Sequence, residues 1–167
     1  MHLCFDDNIM VLNAKTPEES KAEMTVRMFP SDANPAGNVF GGEILKQIDL
    51  IAGLVAQRHA RTNTVTASID RVNFLKPVYV GNALILNARL TYVHRSSMEI
   101  EIRVEAEDLM TGTRTLTNTA YVTVVALGND GKTIGVPHLL LKTDDDKRRF
   151  EEGEQRMMQR LRERKKN

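Results

Sequence analysis

The stretch from about Gly42 to His59 constrains this chain more than any other. On a helical wheel Ile44, Leu45, Ile48, Ile51, Ala52 and Val55 form one broad stripe, and Leu50 and Leu54 carry apolar surface well around the side. A helix apolar over so much of its circumference is buried against more than one partner. Directly after it the period of the sequence changes from helical to alternating. Residues 64–74, 83–94, 97–110 and 114–127 read as strands, joined by Gly81-Asn82, Arg95-Ser96 and Thr111-Gly112-Thr113. The clearest sets Met98, Ile100, Ile102, Val104 and Ala106 on one face and Ser97, Glu99, Glu101, Arg103 and Glu105 on the other, the pattern of a half-buried antiparallel strand.

A further strand is expected over 23–29, then a turn-rich loop over 30–38 ending at Gly41-Gly42. Residues 128–143 read as a turn and an irregular stretch. From Asp144 the chain is highly charged and helical, acidic residues first and basic residues last, as the helix dipole prefers. The organisation is thus a lead-in over 1–22, one folded domain over 23–143 and a charged helix or tail over 144–167. A strand, a buried helix and a run of antiparallel strands form an α+β fold in which a sheet wraps round a central helix, the hotdog arrangement; another sandwich of four strands and a helix fits the same pattern. With 167 residues, 41% hydrophobic and 27% charged, the chain has material for one full core.

The charge balance is close to even, 23 basic against 22 acidic residues, so nothing global draws the chain to nucleic acid or anionic lipid. The tail from Arg156 to Lys166 carries six basic residues, one acidic residue and no aromatic for base stacking; it reads as a solvated helix end, and no nucleic-acid partner is expected. Cys4 is the single cysteine, and His2, His59, His94 and His138 are far apart, so neither a disulfide nor a metal site is expected. No signal peptide or membrane-spanning run is read, and the expected compartment is the cytoplasm or an equivalent reducing space.

The candidate chemistry centres on Asp49, which lies inside the most apolar helix, at the border of the core-facing stripe. Gly42, Ala52, Gly53 and Ala56 are expected on the same side and would leave room for a ligand. A buried carboxylate is costly unless paired or used; the plainer reading is a helix-edge Asp that meets solvent or a structural partner. Gly41 and Gly42 open the helix, where unpaired N–H groups and the dipole can hold an oxyanion, although a Gly-Gly pair alone also makes a plain tight turn. Asn34 precedes them and can orient a water or a carbonyl, or simply shape the turn.

Taken together these segments resemble the cytosolic acyl-CoA thioesterase family of hotdog proteins. The resemblance rests on PSDANPAGNVFGG (30–42), IDLIAG (48–53), TVTASID (64–70), NFLKPVYVG (73–81), HRSSMEI (94–100) and Val136-Pro137, and runs from about Met24 to the tail. It implies hydrolysis of fatty acyl-CoA with no cofactor, Asn34 and Asp49 as the catalytic pair, and Thr66 as a hydroxyl assisting the water or the carboxylate. It also implies that the Gly42 N–H binds the thioester oxygen, and that Gly41 and the turn Arg95-Ser96-Ser97 contact CoA. Where relatives often have Gly-Arg-Thr-Ser, this chain has His94-Arg95-Ser96-Ser97. The site is implied to lie between protomers, Asn34 of one facing Asp49 of the other, in a dimer and further in a trimer of dimers.

Asp49 would serve as general base on a water, with a covalent anhydride on Asp49 as the competing route. The chain has no G-x-S-x-G nucleophile elbow. Two alternatives accompany this reading. A hotdog hydratase or dehydratase would use a His paired with a carboxylate, whereas the central helix offers a His only at its end. A non-catalytic acyl-CoA sensor would bind without turnover.

Overall fold

The computed structural model describes residues 14–164. Cys4, His2 and most of the lead-in lie outside the described residues, as do 165–167. Five strands, β1 (Ala22–Arg27), β2 (Asn63–Phe74), β3 (Ala83–His94), β4 (Ser97–Glu107) and β5 (Arg114–Leu127), form one antiparallel sheet in the order β1-β3-β4-β5-β2. Short turns make β3, β4 and β5 successive neighbours. β1 and β2 occupy opposite edges, so the chain between them has to cross the sheet. The crossing element is the apolar helix, α1 (Gly41–Ala60), whose twenty residues span about 30 Å.

The sheet curls round α1 and buries the helix stripe as its sequence requires. Ile44, Ile48, Ile51, Ala52 and Val55 of α1 meet Leu84, Leu86, Ile100, Ile102, Val104, Val122 and Val124, all nearly inaccessible. This is the α+β hotdog architecture. β4 ends at Glu107 rather than Met110, because Asp108 accepts the Met110 N–H and its own N–H bonds Thr113 O in a tight turn. β1 ends at Arg27, where the Met28 N–H leaves the ladder for Asn82 O and Pro30 opens a short 3-10 turn (Pro30–Asp32).

The second helix, α2 (Asp144–Arg164), corrects the expectation of a solvated end. Thr143 and Asp146 form reciprocal cap hydrogen bonds at its start, and it then lies on the outer face of the sheet. Arg156 and Arg160 both bind Glu99 of β4, which is only 2% exposed and also accepts from the Thr91 hydroxyl. Arg160 reaches on to Asp70 of β2 at 2.8 Å, Arg149 pairs with Glu101, and Arg156 stacks 3.8 Å over the Tyr121 ring. The polar face of β4 is therefore covered at Glu99 rather than open to water. Gly153 permits this approach: a Cβ there would stand 2.6 Å from Tyr92 Cβ.

Candidate active site

Asp49 and Thr66 meet. The Thr66 hydroxyl on edge strand β2 donates to Asp49 Oδ1 at 2.6 Å. The pairing with β5 shifts register between Thr66 and Ser68; such a bulge re-aims the side chains beside it. Asp49 is exposed in the protomer, at the edge of the buried stripe, with Ala52 and Ala56 buried on the same side of the helix. Of the expected small neighbours beside it, Gly53 lines the same groove, and a Cβ there would meet nothing within 4 Å.

That groove, about 680 Å³, runs along α1 beside the start of β2. Its helix wall consists of two rows at i, i+4 spacing: Asp49, Gly53, Gln57 and Arg61, and next to them Leu50, Leu54 and Arg58; Thr64, Val65 and Thr66 face them. Leu50 is 54% exposed and Val65 44%, a concentration of apolar surface on the open edge of the sheet. Sequence reasoning did not place Gln57, Arg58 or Arg61 in the site. The i+4 row starting at Asp49 was the signal that could have put Gln57 and Arg61 in the site.

Asn34 is not in this groove. Its Oδ1 accepts from the Ala36 and Asn38 N–H groups at 2.9 and 3.1 Å, so the side chain shapes its own turn and its Nδ2 is left as the donor for other groups. The turn hands the chain to Val39 and Phe40 and so to the start of α1, where helical bonding begins with Glu43 and Ile44 to Phe40 O. The N–H groups of Gly41 and Gly42 precede that ladder. A Cβ at Gly42 would overlap the Phe40 ring, and one at Gly41 would touch Phe74 at 3.4 Å. Asp49 stands two turns further on, about 10 Å along the axis.

The Arg95-Ser96-Ser97 turn lies at the other end of α1. Ser97 is in register with Val125, and Val125 with Val65. Arg95 takes a left-handed φ of 47°, a conformation that costs a non-glycine residue about 1 kcal/mol or more. Val136 N–H donates to Arg95 O, and the next residue, Pro137, offers its carbonyl to His59 Nε2 at 2.7 Å.

That contact keeps His59 from serving as a solvent-facing cation at the helix end. The residue is fully buried. A carbonyl only accepts, so Nε2 carries the proton and Nδ1 accepts from the Ser20 hydroxyl at 3.1 Å. Burial holds this imidazole below its ordinary pKa, outweighing the raising effect of the Pro137 carbonyl. The cation that closes the helix is Lys15, whose Nζ donates to His59 O at 2.7 Å. Among the described residues no three His, Cys, Asp or Glu side chains converge as a metal site needs, and no helix is long and apolar enough to cross a membrane.

Comparison with known proteins gives a consistent set of likenesses. A thioesterase superfamily model matches residues 36–113. The chain is 43% identical to an uncharacterised acyl-CoA thioester hydrolase of Bacillus subtilis, over 79% of this chain and 80% of that one. It is 38% identical to the human cytosolic acyl coenzyme A thioester hydrolase over 89% of its own length but spans only 40% of that protein. The crystal structure of an apo-hexameric acyl-CoA thioesterase superposes with a TM-score of 0.87 at 39% identity, covering 91% of this chain and 97% of the other. A Staphylococcus aureus acyl-CoA hydrolase in complex with butyryl-CoA and CoA superposes at 0.84 with 35% identity, covering 92% and 93%. Three further structures of the S. aureus enzyme carry single alanine replacements of an Asn, an Asp and a Thr, spaced 15 and 17 residues apart. Asn34, Asp49 and Thr66 have the same spacing.

Proposed function

The chain belongs to the acyl-CoA thioester hydrolases of the thioesterase superfamily, and from that premise we propose how its residues divide the reaction. The reaction is hydrolysis of an acyl-CoA thioester to free acid and CoA. Asp49 is the general base, and the observation that carries this role is the 2.6 Å bond from Thr66 to its Oδ1 on the groove wall. That bond fixes the carboxylate and leaves Oδ2 for a water. The water oxygen attacks the thioester carbonyl carbon while Asp49 takes its proton. The carbonyl oxygen becomes an oxyanion, which the Gly42 N–H at the positive end of α1 stabilises. Collapse breaks the C–S bond, and the departing thiolate recovers the proton from Asp49. Asn34, with Oδ1 held in its turn, presents Nδ2 to the thioester or the water.

Asn34 and Gly42 reach this carbonyl from a second copy. Their turn and helix start lie outside the groove that Asp49 lines, and the exposed apolar residues Leu50, Leu54, Val65, Ile69 and Phe74 on α1 and edge strand β2 are suited to burial against a partner. The assembly is a dimer, and three dimers form a hexamer, in keeping with the hexameric relative. Its compartment is the cytoplasm, as the name of the human relative suggests. A hydratase-type His–carboxylate pair has no support here, since the His of α1 is committed to Ser20 and Pro137.

Thiol release measured across acyl-CoAs of increasing chain length tests the assignment. Asp49→Ala should lower turnover by about 10²–10⁴-fold with an unchanged unfolding temperature, because the side chain is exposed and bonded to Thr66. Wild-type turnover in a folded Asp49→Ala protein removes Asp49 from the mechanism, and binding without thiol release by the unmodified protein makes it a sensor.

A further inference from the structure

One strand, β2, serves both faces of the sheet, and a bulge is what lets it do so. Thr66 is opposite Val124, which is buried in the core, and its hydroxyl points inward to Asp49. Asp70 is opposite Tyr121, whose ring lies under Arg156 of α2 on the outer face. Residues four apart in a regular strand share a face. Here Ala67 is an extra residue. The step from Thr66 to Ser68 matches the single step from Val124 to Thr123, so Thr66 and Asp70 fall on opposite faces. A strand that slipped to remove the bulge would turn one of the two away from its partner.

The ladder is weak on this stretch. A second irregularity follows between Asp70 and Asn73, which leaves only Ser68, Ile69 and Asp70 in register between the two interruptions, on a strand at the edge of the sheet. Ser68 Oγ and, across from it, Thr123 Oγ1 are buried without a hydrogen-bond partner among the described residues. Asp70 is bonded. Arg160 Nη1 donates to its Oδ2 at 2.8 Å and to Glu99 Oε2 at 3.0 Å. Glu99 is a fixed point, buried and held also by Arg156 and Thr91. Before it reaches β2, α2 is tied to β3 through Arg89 and Asp146 and to β4 through Arg149 and Glu101. It runs as a brace across the sheet and ends on the outer face of the strand whose inner face carries Thr66.

We propose that Asp70 and Arg160 are positioning residues for the hydrolysis: their ion pair holds β2 in its bulged register and so keeps the Thr66 hydroxyl on Asp49. The inference rests on the assignment of Asp49 as the base and Thr66 as its orienting hydroxyl. Neither positioning residue lines the groove beside Asp49, so the pair acts on the rate through Thr66 and not on binding. A displacement of about 1 Å in a catalytic group is enough to cost a large factor in rate. The pair itself is partly open to water, Arg160 being 18% and Asp70 32% exposed, and such a pair contributes little to stability.

Asp70→Ala cuts the link at β2, and Arg160→Gln cuts it at α2 while leaving Arg156 and Thr91 on Glu99. Each should lower kcat of the folded protein about tenfold and hold KM within about twofold. Asp70→Glu, which keeps the charge, should restore most of kcat. Combination reads the route through Thr66. Thr66→Ala should lower kcat at least as much as Asp70→Ala does, and adding Asp70→Ala to it should lower kcat no further, because the position is already lost. Hydrogen exchange reads the brace apart from catalysis. In Asp70→Ala the amides of residues 66–70 should exchange at least about fivefold faster, with those of β3 and β4 unchanged. Wild-type kcat in both link variants, or unchanged exchange, overturns the proposal; either is the result expected if contact with the second copy alone holds β2. Losses that multiply in the double variant overturn the route through Thr66. Full kcat in Thr66→Ala removes Thr66 from the mechanism, whereas the exchange rates still decide whether the pair holds the strand.

Discussion

The two sides of this sheet handle carboxylates in opposite ways. Glu99, on the outer face, is nearly inaccessible and is held by Arg156, Arg160 and Thr91. Asp49, on the wall of the groove beside α1, is exposed and receives the Thr66 hydroxyl. A buried charge demands such enclosure, and enclosure leaves Glu99 no lone pair directed at a ligand. Asp49 is oriented without being enclosed, so it can still take a proton. In the mechanism proposed above, the difference separates a carboxylate that secures α2 from one that does chemistry.

Exchanging the readouts tests this contrast. Asp49→Ala should abolish most turnover and spare stability. Glu99→Ala should do the reverse, leaving two guanidiniums against the sheet without their shared acceptor. The cost should be about 3 kcal/mol, the low end for breaking a buried pair, because Arg160 keeps Asp70 and Arg156 keeps the Tyr121 ring. Denaturant unfolding measures it, and kcat per folded molecule should change little. Gly153→Ala attacks the same docking more mildly. A methyl 2.6 Å from Tyr92 Cβ has to push α2 outward, at about 1–3 kcal/mol, although alanine is the better helix former; a stabilised variant would contradict the close approach. The smallest effect is expected from pH. Burial lowers the pKa of His59, so folding favours the neutral ring. Its contribution is complete above the ordinary imidazole value of about 6.5 and is lost as pH falls below that value toward the folded one. Unfolding temperatures followed downward from neutral pH should decline in that window, and less steeply in His59→Gln.

What the sequence revealed and what it hid follow from the range of the interactions. β3 and β5 are found at the expected bounds because alternation and short turns are local signals. The role of α2 was hidden because Glu99 and Arg156 are 57 residues apart and Glu99 alternates like a solvent-facing residue. His59 was hidden likewise, its partners lying 39 and 78 residues away. The wheel placed Asp49 at the edge of the buried stripe but left open whether it meets solvent, because position on a stripe does not reveal that β2 is an edge strand and leaves that flank of α1 open. Thr66 was reached through family resemblance, and its bulge has no mark in the alternation.

The central claim is that one site needs Asp49 from one chain and Asn34 from another, and subunit mixing tests it most directly. Asn34→Ala and Asp49→Ala homodimers each lack one half of both sites. After exchange, a mixed dimer holds one doubly defective site and one intact site. With random pairing about half the dimers are mixed, so activity should recover to about a quarter of the unmodified level, given independent sites and full exchange. Catalysis needs both groups within reach of one substrate, which separate homodimers do not supply. Recovery near a quarter is the predicted result. Continued inactivity after exchange has been verified by mass-tagged chains contradicts the account, placing both residues in one protomer's site or making one of them structural.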